Sequence, residues 1–300
     1  MEPNTPLAKT LAKVLPTEGN PRAEDQTTNK AAGTSHTAKS TILDTGASMV
    51  QDFSPVNQVC AFLNAFHVYA RDPDVVVEAN HYCSHLNEDV RQCLIYDSPT
   101  PPSRLIGIEY MITPRLFRTL PLPERRLWHS HIFEVKSGML VMPLPPKTPT
   151  SKLASIVMPA AAWDTAETSE MYDVIELYGK TFHLWRVDRD DRVPMGFPEL
   201  MGSIRTQEEW ESLDMNKRIR ERDRRFRVDT EKKREIRKEI PEPVLEEGVD
   251  GFWEDVKSDK GKGRSTRFDS GAWGEGGRRW SGDVDDGLFL GAQSSVFTEE

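Results

Sequence analysis

The chain has 300 residues and a mass of 34.1 kDa, enough for one large domain or two small ones. Its 39 Lys and Arg against 48 Asp and Glu leave a formal charge of −9, which disfavours a general nucleic-acid binder because phosphate recognition needs a concentrated positive field. Three cysteines (Cys60, Cys83, Cys93) with no Cys-x-x-Cys pair argue against a disulfide scaffold or a zinc ribbon.

The first 52 residues contain no aromatic side chain. Such a segment buries too little apolar surface to offset its ordering entropy, so 1–50 is predicted to be disordered. Its opening residues lack the apolar stretch of a signal peptide. The longest charge-free run, Phe53 to Ala70, carries Asn57, Gln58, Asn64 and His67. A spanning helix needs about 20 mostly apolar residues, so no transmembrane insertion is predicted.

Ser54-Pro55 reads as a helix start, and the apolar spacing of Val56, Val59, Cys60, Leu63, Phe66, His67 and Ala70 predicts a helix ending at Asp72-Pro73. A second helix is predicted over Val75 to Leu86. Val90–Tyr96 and Leu105–Thr113 read as an antiparallel strand pair joined by a Pro-rich loop. Leu116–Trp128 reads as a helix interrupted by Pro121 and Pro123, and Lys136–Met142 as a strand. Residues 144–168 read as an irregular insertion. Ser169–Tyr178 is predicted helical with Gly179 as its cap, and Thr181–Asp188 as another strand.

Gln207–Glu239 carries 10 acidic and 12 basic residues with few apolar ones. That balance predicts one long exposed, salt-bridge-laced helix or two shorter ones. The last 46 residues hold nine Gly among charges, so 246–300 reads as a Gly-rich disordered tail. The fold class predicted is therefore α+β: a mainly antiparallel sheet with packed helices, a charged C-terminal helix and disordered termini, with the domain at 51–245.

Several strings occur together and in order: FHVYARDP, VEANHYCSHLNEDVRQCLIYDS, RLIGIEYMIT, LWHSHIFEVKSGMLVMP and YGKTFHLWRVDR followed by VPMGFPELM. In these the chain resembles the oil-body-associated protein family, from Val56 to Met201 and more loosely to Trp253. MPAAAWDTAETSE departs from the pattern, and both ends lie outside it. The resemblance implies a small α+β protein, cytoplasmic or at lipid droplets, whose partners are the lipid-body surface or lipid-body proteins. It implies no known reaction.

The residues themselves hold one constellation with metal chemistry. His81 and His85 share a helix face at i, i+4, and His129 and His131 share a strand face at i, i+2. Glu134 follows, and Glu109 sits among Ile106, Ile108 and Ile112, where a buried carboxylate needs a partner. Imidazole and carboxylate ligands suit Zn²⁺ or Fe²⁺. His129-x-His131 with Glu134 and Gly138 is similar to the first metal motif of cupins, although the spacing to Glu differs and no second motif follows. Against this, a helix ending at His131 would point His129 and His131 about 200° apart. His67 and His183 read as core histidines, and Cys83 and Cys93 as buried, inert thiols.

No Gly-x-Ser-x-Gly elbow, P-loop or dinucleotide fingerprint is present. Two functions follow: a non-enzymatic protein peripheral to lipid bodies, or a metal-dependent enzyme or metal-binding protein using the His/Glu cluster. For the organisation, brief proteolysis of the full chain is expected to trim both ends and leave a resistant fragment near 51–245. Rapid loss of the middle with a protected end would contradict it.

Overall fold

In the computed structural model of the chain, residues 31, 36–144 and 160–252 are described. Its centre is set by two long strands, β1 (Ala61–Tyr69) and β2 (Val76–Asn87). Both stretches carry a helical apolar pattern in the sequence, and both are strands. The reason is double burial. From Leu63 to Ala70 every residue is buried, and a strand covered on both faces loses the alternation that distinguishes it from a helix. Only Ser54–Asn57 (α2) is helical near the predicted start.

β3 (Val90–Tyr96) and β4 (Leu105–Ile112) form the predicted antiparallel pair. β6 (Tyr178–His183) and β7 (Glu199–Ser203) complete the set. The order β4-β3-β2-β1-β7-β6 is antiparallel throughout, and β6 pairs back onto β4 from Gly107↔His183 to Ile112↔Tyr178. The predicted antiparallel sheet with packed helices is thus a closed six-stranded barrel, and closure removes the free edges. A two-residue strand, β5 (His129–Ser130), adds to β6 beyond the end of β7.

Alternate residues point inward. Tyr69, Val77, Ala79, Ile95, Ile106 and Met201 pack together towards one end of the barrel. Leu63, Ala65, Cys83, Cys93 and Met111 form another layer, covered by Val135 and Leu140 and by Met171, Val174 and Ile175. Between them the strands present polar side chains, described below. The outward face of β1, with Phe66 and Val68, packs against Trp210, Met215 and Ile219.

The remaining elements correct the sequence reading in several places. Leu116–Trp128 contributes only two short helices, α3 (Pro114–Phe117) and α4 (Leu122–Arg125). The strand predicted at Lys136–Met142 is instead the end of α5 (Ile132–Lys136), a turn through the left-handed Gly138 (φ 74°) and a single bridge, Asn64↔Val141. α6 (Ala160–Val174) begins inside the predicted insertion, of which 145–159 lie outside the described residues, and Gly179 lies within β6 rather than capping a helix. Residues 38–50 of the segment predicted to be disordered form a helix, α1 (Ala38–Val50), capped by the Thr37 side chain and without a buried residue. The Gly-rich tail does not begin at 246. Asp250 accepts hydrogen bonds from Ser130 N (3.2 Å) and Oγ (2.8 Å), and the Asp250 N–H donates to Trp128 O. Residues 253–300 lie outside the described residues.

The charged stretch is not one helix. It divides into α7 (Gln207–Ser212), α8 (Met215–Phe226) and α9 (Thr230–Ile236), with left-handed Asp214 and Arg227 at the breaks. Nor is it simply a solvated face. Met215, Ile219, Arg222 and Phe226 form the buried stripe of α8, spaced as a helix facing a core requires. The Arg222 guanidinium is fully buried and donates to Met139 O (2.7 Å), Asn64 Oδ1 (3.2 Å), Thr230 Oγ1 (2.9 Å) and Asp223 Oδ1 (2.8 Å). Arg237, just beyond α9, donates to Val135 O (3.1 Å), Leu140 O (2.7 Å) and the buried Glu167 (3.1 Å). These two cations take up the Val135, Met139 and Leu140 carbonyls, and Arg234 Nε the Ser137 carbonyl (3.2 Å), in a run with little sheet or helix to pair with.

Removing one of them leaves buried carbonyls without donors. Arg222→Ala is expected to lower unfolding stability by about 3–5 kcal/mol, measured by urea titration. Arg224→Ala, on the exposed side of the same helix, should change it by no more than about 0.5 kcal/mol.

Candidate metal centre

The inward-facing polar residues meet in the barrel. β1 supplies His67, β2 His81, β4 Glu109, β6 Thr181 and His183, and the short β5 with the turn after it supplies His129 and His131. All seven are at most 2 % exposed. The strand period explains the meeting of His67, His81 and Glu109, each in step with an inward-facing core residue two positions away, such as Ala65, Ala79 and Met111. β5 matters here because His131 follows it directly as the residue preceding α5, and no helix ends there. The pair at 129 and 131 therefore falls on one side, as the strand reading expected.

Glu109 is the hub. Its Oε2 lies 3.2 Å from His81 Nε2, and its Oε1 lies 3.3 Å from His129 Nε2 and 3.7 Å from His131 Nε2. Thr181 Oγ1 donates to the same Oε1 at 2.9 Å. His81 Nε2 is also 3.1 Å from His67 Nε2, whose other nitrogen is 3.1 Å from His183 Nε2. Two sets of ligand atoms lie within 4.8 Å of one another: His67, His81 and Glu109, and Glu109, His129 and His131. A cavity of about 10 Å³ lies among His67, His81, Glu109, His131 and Glu134, about the smallest that admits one water.

The hydrogen bonding does not close. One proton on His81 Nε2 serves Glu109 or His67, but not both fully. His129 Nε2 is off the line of a hydrogen bond to Glu109, and both of its ring nitrogens are buried and unpartnered, as are His81 Nδ1 and His183 Nδ1. Buried polar atoms without partners are rare. His131 is the exception: its Nδ1 donates to Leu177 O at 2.8 Å, which turns Nε2 towards Glu109. Such a second-sphere bond is what orients a metal-ligating imidazole.

Electrostatics follow the same geometry. Burial pushes the Glu109 carboxyl up, but its contacts with His129, His131 and His81 outweigh that and hold it well below the usual carboxylate range. Burial opposes the charge on His131, yet Glu109 and Glu134 raise it to about 9. Burial, with neighbouring imidazoles, drives His67 well below 6.5, and His183 falls to about 3 chiefly through burial.

Of the residues singled out in the sequence, His81, Glu109, His129 and His131 come together. Glu134 stands at the margin, its Oε2 3.8 Å from His131 Nε2. His85 does not join, because on a strand it lies on the rim, where it is exposed. Cys83 and Cys93, read as inert thiols, are joined by a disulfide across facing positions of β2 and β3, and Cys60 is free. His67, His183 and Thr181 are members that the sequence did not reveal. The alternation Leu63, Ala65, His67, Tyr69 is the signal for His67, once β1 is taken as a strand. Gly179 is another member. A Cβ there would stand 2.5 Å from Glu109 Oε1 and 2.7 Å from His129 Nε2, so only glycine lets the cluster approach the β6 backbone.

Among the described residues no helix is long and apolar enough to cross a membrane. No solved structure matches the chain. Oil body-associated protein 1B of Arabidopsis thaliana is 41% identical over 204 residues, covering 68% of this chain and 76% of that protein. Oil body-associated protein 2A of Zea mays is 34% identical over 248 residues, covering 82% and 91%. Oil body-associated protein 1A of Zea mays is 44% identical over 160 residues, covering 53% and 60%. Residues 53–241, more than half of the chain, match the family described as "Protein of unknown function (DUF1264)", and the chain belongs to that family, the one that contains these oil body-associated proteins.

Proposed function

We propose that this protein is a non-enzymatic component of lipid-body surfaces whose barrel is held by one buried divalent transition-metal ion. The observation that carries the metal is the convergence of three imidazoles on Glu109, with His67 against His81 beside them and nitrogens left unpartnered. Ligands about 2.0–2.1 Å from a tetrahedral ion stand about 3.3–3.4 Å apart. The contacts of 3.1 and 3.2 Å within His67, His81 and Glu109, and of 3.3 and 3.7 Å from Glu109 to His129 and His131, are close to that spacing. The donor set of imidazole nitrogen and carboxylate oxygen suits Zn²⁺ or Fe²⁺. Closed surroundings with room for about one water favour a structural ion over a catalytic one, which keeps an open position for substrate. The lipid-body part of the reading rests on the names of the relatives, and the peripheral mode fits a fold whose described helices do not span a bilayer.

Elemental analysis of the purified full chain is expected to find about one Zn or Fe per molecule. His131→Ala should lose that metal, whereas His85→Ala should keep it. A ligand bound only by the folded state stabilises it by about 2.7 kcal/mol at one hundred times Kd, so a chelator should lower the melting temperature of the wild type but not of His131→Ala. Ligating imidazoles must be neutral, and without metal His131 keeps its proton up to about pH 9, so retention should weaken as the pH drops below about 9. A metal-free protein whose melting ignores chelator would refute this part. For the other part, a fluorescent fusion should collect on induced lipid droplets and be released by high salt or carbonate, as screened peripheral contacts are. Carbonate-resistant retention would exclude a peripheral mode.

A further inference from the structure

A second feature stands apart from the metal centre. On the outside of the barrel, between the β1–β2 pair and the junction of α8 and α9, lies a cleft of about 940 Å³. That is within the roughly 300–1,000 Å³ usual for small-molecule sites. Its floor is aromatic. Phe62 and Tyr82 are direct cross-strand partners whose rings stack with centroids 5.0 Å apart, and Phe226 leans on Phe62 at 5.9 Å. Met142, Trp163 and Ile236 extend the apolar lining. The Tyr82 hydroxyl donates to Pro99 O and the Trp163 indole N–H to Met142 O, so the polar ends of both side chains already have partners.

Charged groups also line it, the carboxylates of Asp97, Asp164 and Asp229 among them, and most are already committed. Arg225 is paired with Glu78, Lys232 with Asp164, and Lys233 with Glu167 and Asp164. Arg227 differs: it is exposed and, among the described residues, in no ion pair. It also occupies the left-handed position that ends α8, at φ 58°, where glycine is the unstrained choice. A long cationic side chain is thus held at the mouth of an apolar cleft, at a backbone position that does not favour it.

We propose that this cleft binds an amphiphile with an apolar chain and an anionic head, the chain lying along Phe62, Tyr82 and Phe226 and the head on the Arg227 guanidinium. A carboxylate and a phosphate monoester share the chemistry, since either can take a bidentate pair from arginine. The inference rests on neither the metal nor the lipid-body reading.

Radiolabelled palmitate, below its micellar concentration, is expected to bind the full chain saturably at one per molecule. Hexadecyl phosphate is the second probe. Binding of palmitate alone assigns a fatty carboxylate, binding of hexadecyl phosphate alone a phosphate ester, and either supports the proposal. Hexadecanol, which lacks the charge, and octanoate, which lacks the chain, should each bind at least about tenfold more weakly. Arg227→Gly relieves the backbone and should keep or raise the melting temperature, while weakening binding of the preferred probe by about tenfold. Absence of saturable binding, hexadecanol binding as tightly as the anions, or undiminished affinity in Arg227→Gly would overturn the assignment. None of these results bears on metal content.

Discussion

A carboxylate enclosed by a six-stranded barrel is costly to bury, and the arrangement around Glu109 answers that cost. An isolated buried charge is worth many kcal/mol against folding unless something neutralises it and occupies its lone pairs. Here Thr181 donates one hydrogen bond and the imidazoles of His81, His129 and His131 approach from three elements. In the metal-free form the proton on His131 performs the neutralisation. A divalent ion would perform it more completely, because it would also engage the imidazole lone pairs that hydrogen bonding leaves idle. The closure of β6 onto β4 is part of the same constraint, since it places Thr181 directly opposite Glu109.

The same logic of unmet polarity governs the outer shell. The run from Val135 to Met142 packs on the Leu63 and Ala65 layer with little regular structure, so its carbonyls need donors from elsewhere. Arg222 and Arg237 supply them from α8 and from the turn after α9, and Glu167 on α6 balances Arg237 and accepts from Met142 N at 2.8 Å. What looks in sequence like an unspecialised band of surface charge therefore has two members that act as internal struts.

The sequence carried the class of the fold and much of the site, but not the shape. The alternation of β3 and β4 was legible because each turns several residues to partly solvated positions. β1 and β2 were not, because helices cover their outer face and the barrel encloses the inner one, which erases the period of two. With those strands taken as helices, His81 and His85 became neighbours and His67 a core residue. Once they are strands, His81 points inward, His85 sits past the rim, and His67 joins the cluster. His129, His131 and Glu109 survived either reading, since their grouping depends only on β4 and on the two-residue β5. The break-up of Gln207–Glu239 was hidden because Asp214 and Arg227 adopt left-handed backbone that their residue types do not announce. The disulfide joins positions ten residues apart whose facing becomes visible only in the β2–β3 register.

The tie between Ser130 and Asp250 gives the cluster a schedule of assembly. β5 is only two residues long, and one pairing with β6 does little to hold it. Its fixation depends on a carboxylate 120 residues further along the chain. On a ribosome, His67, His81 and Glu109 emerge well before the element that seats His129 and His131 is secured. That tie is therefore among the last contacts the growing chain can make, and a chain cut short of Asp250 would leave the His129 and His131 side of the ring without it.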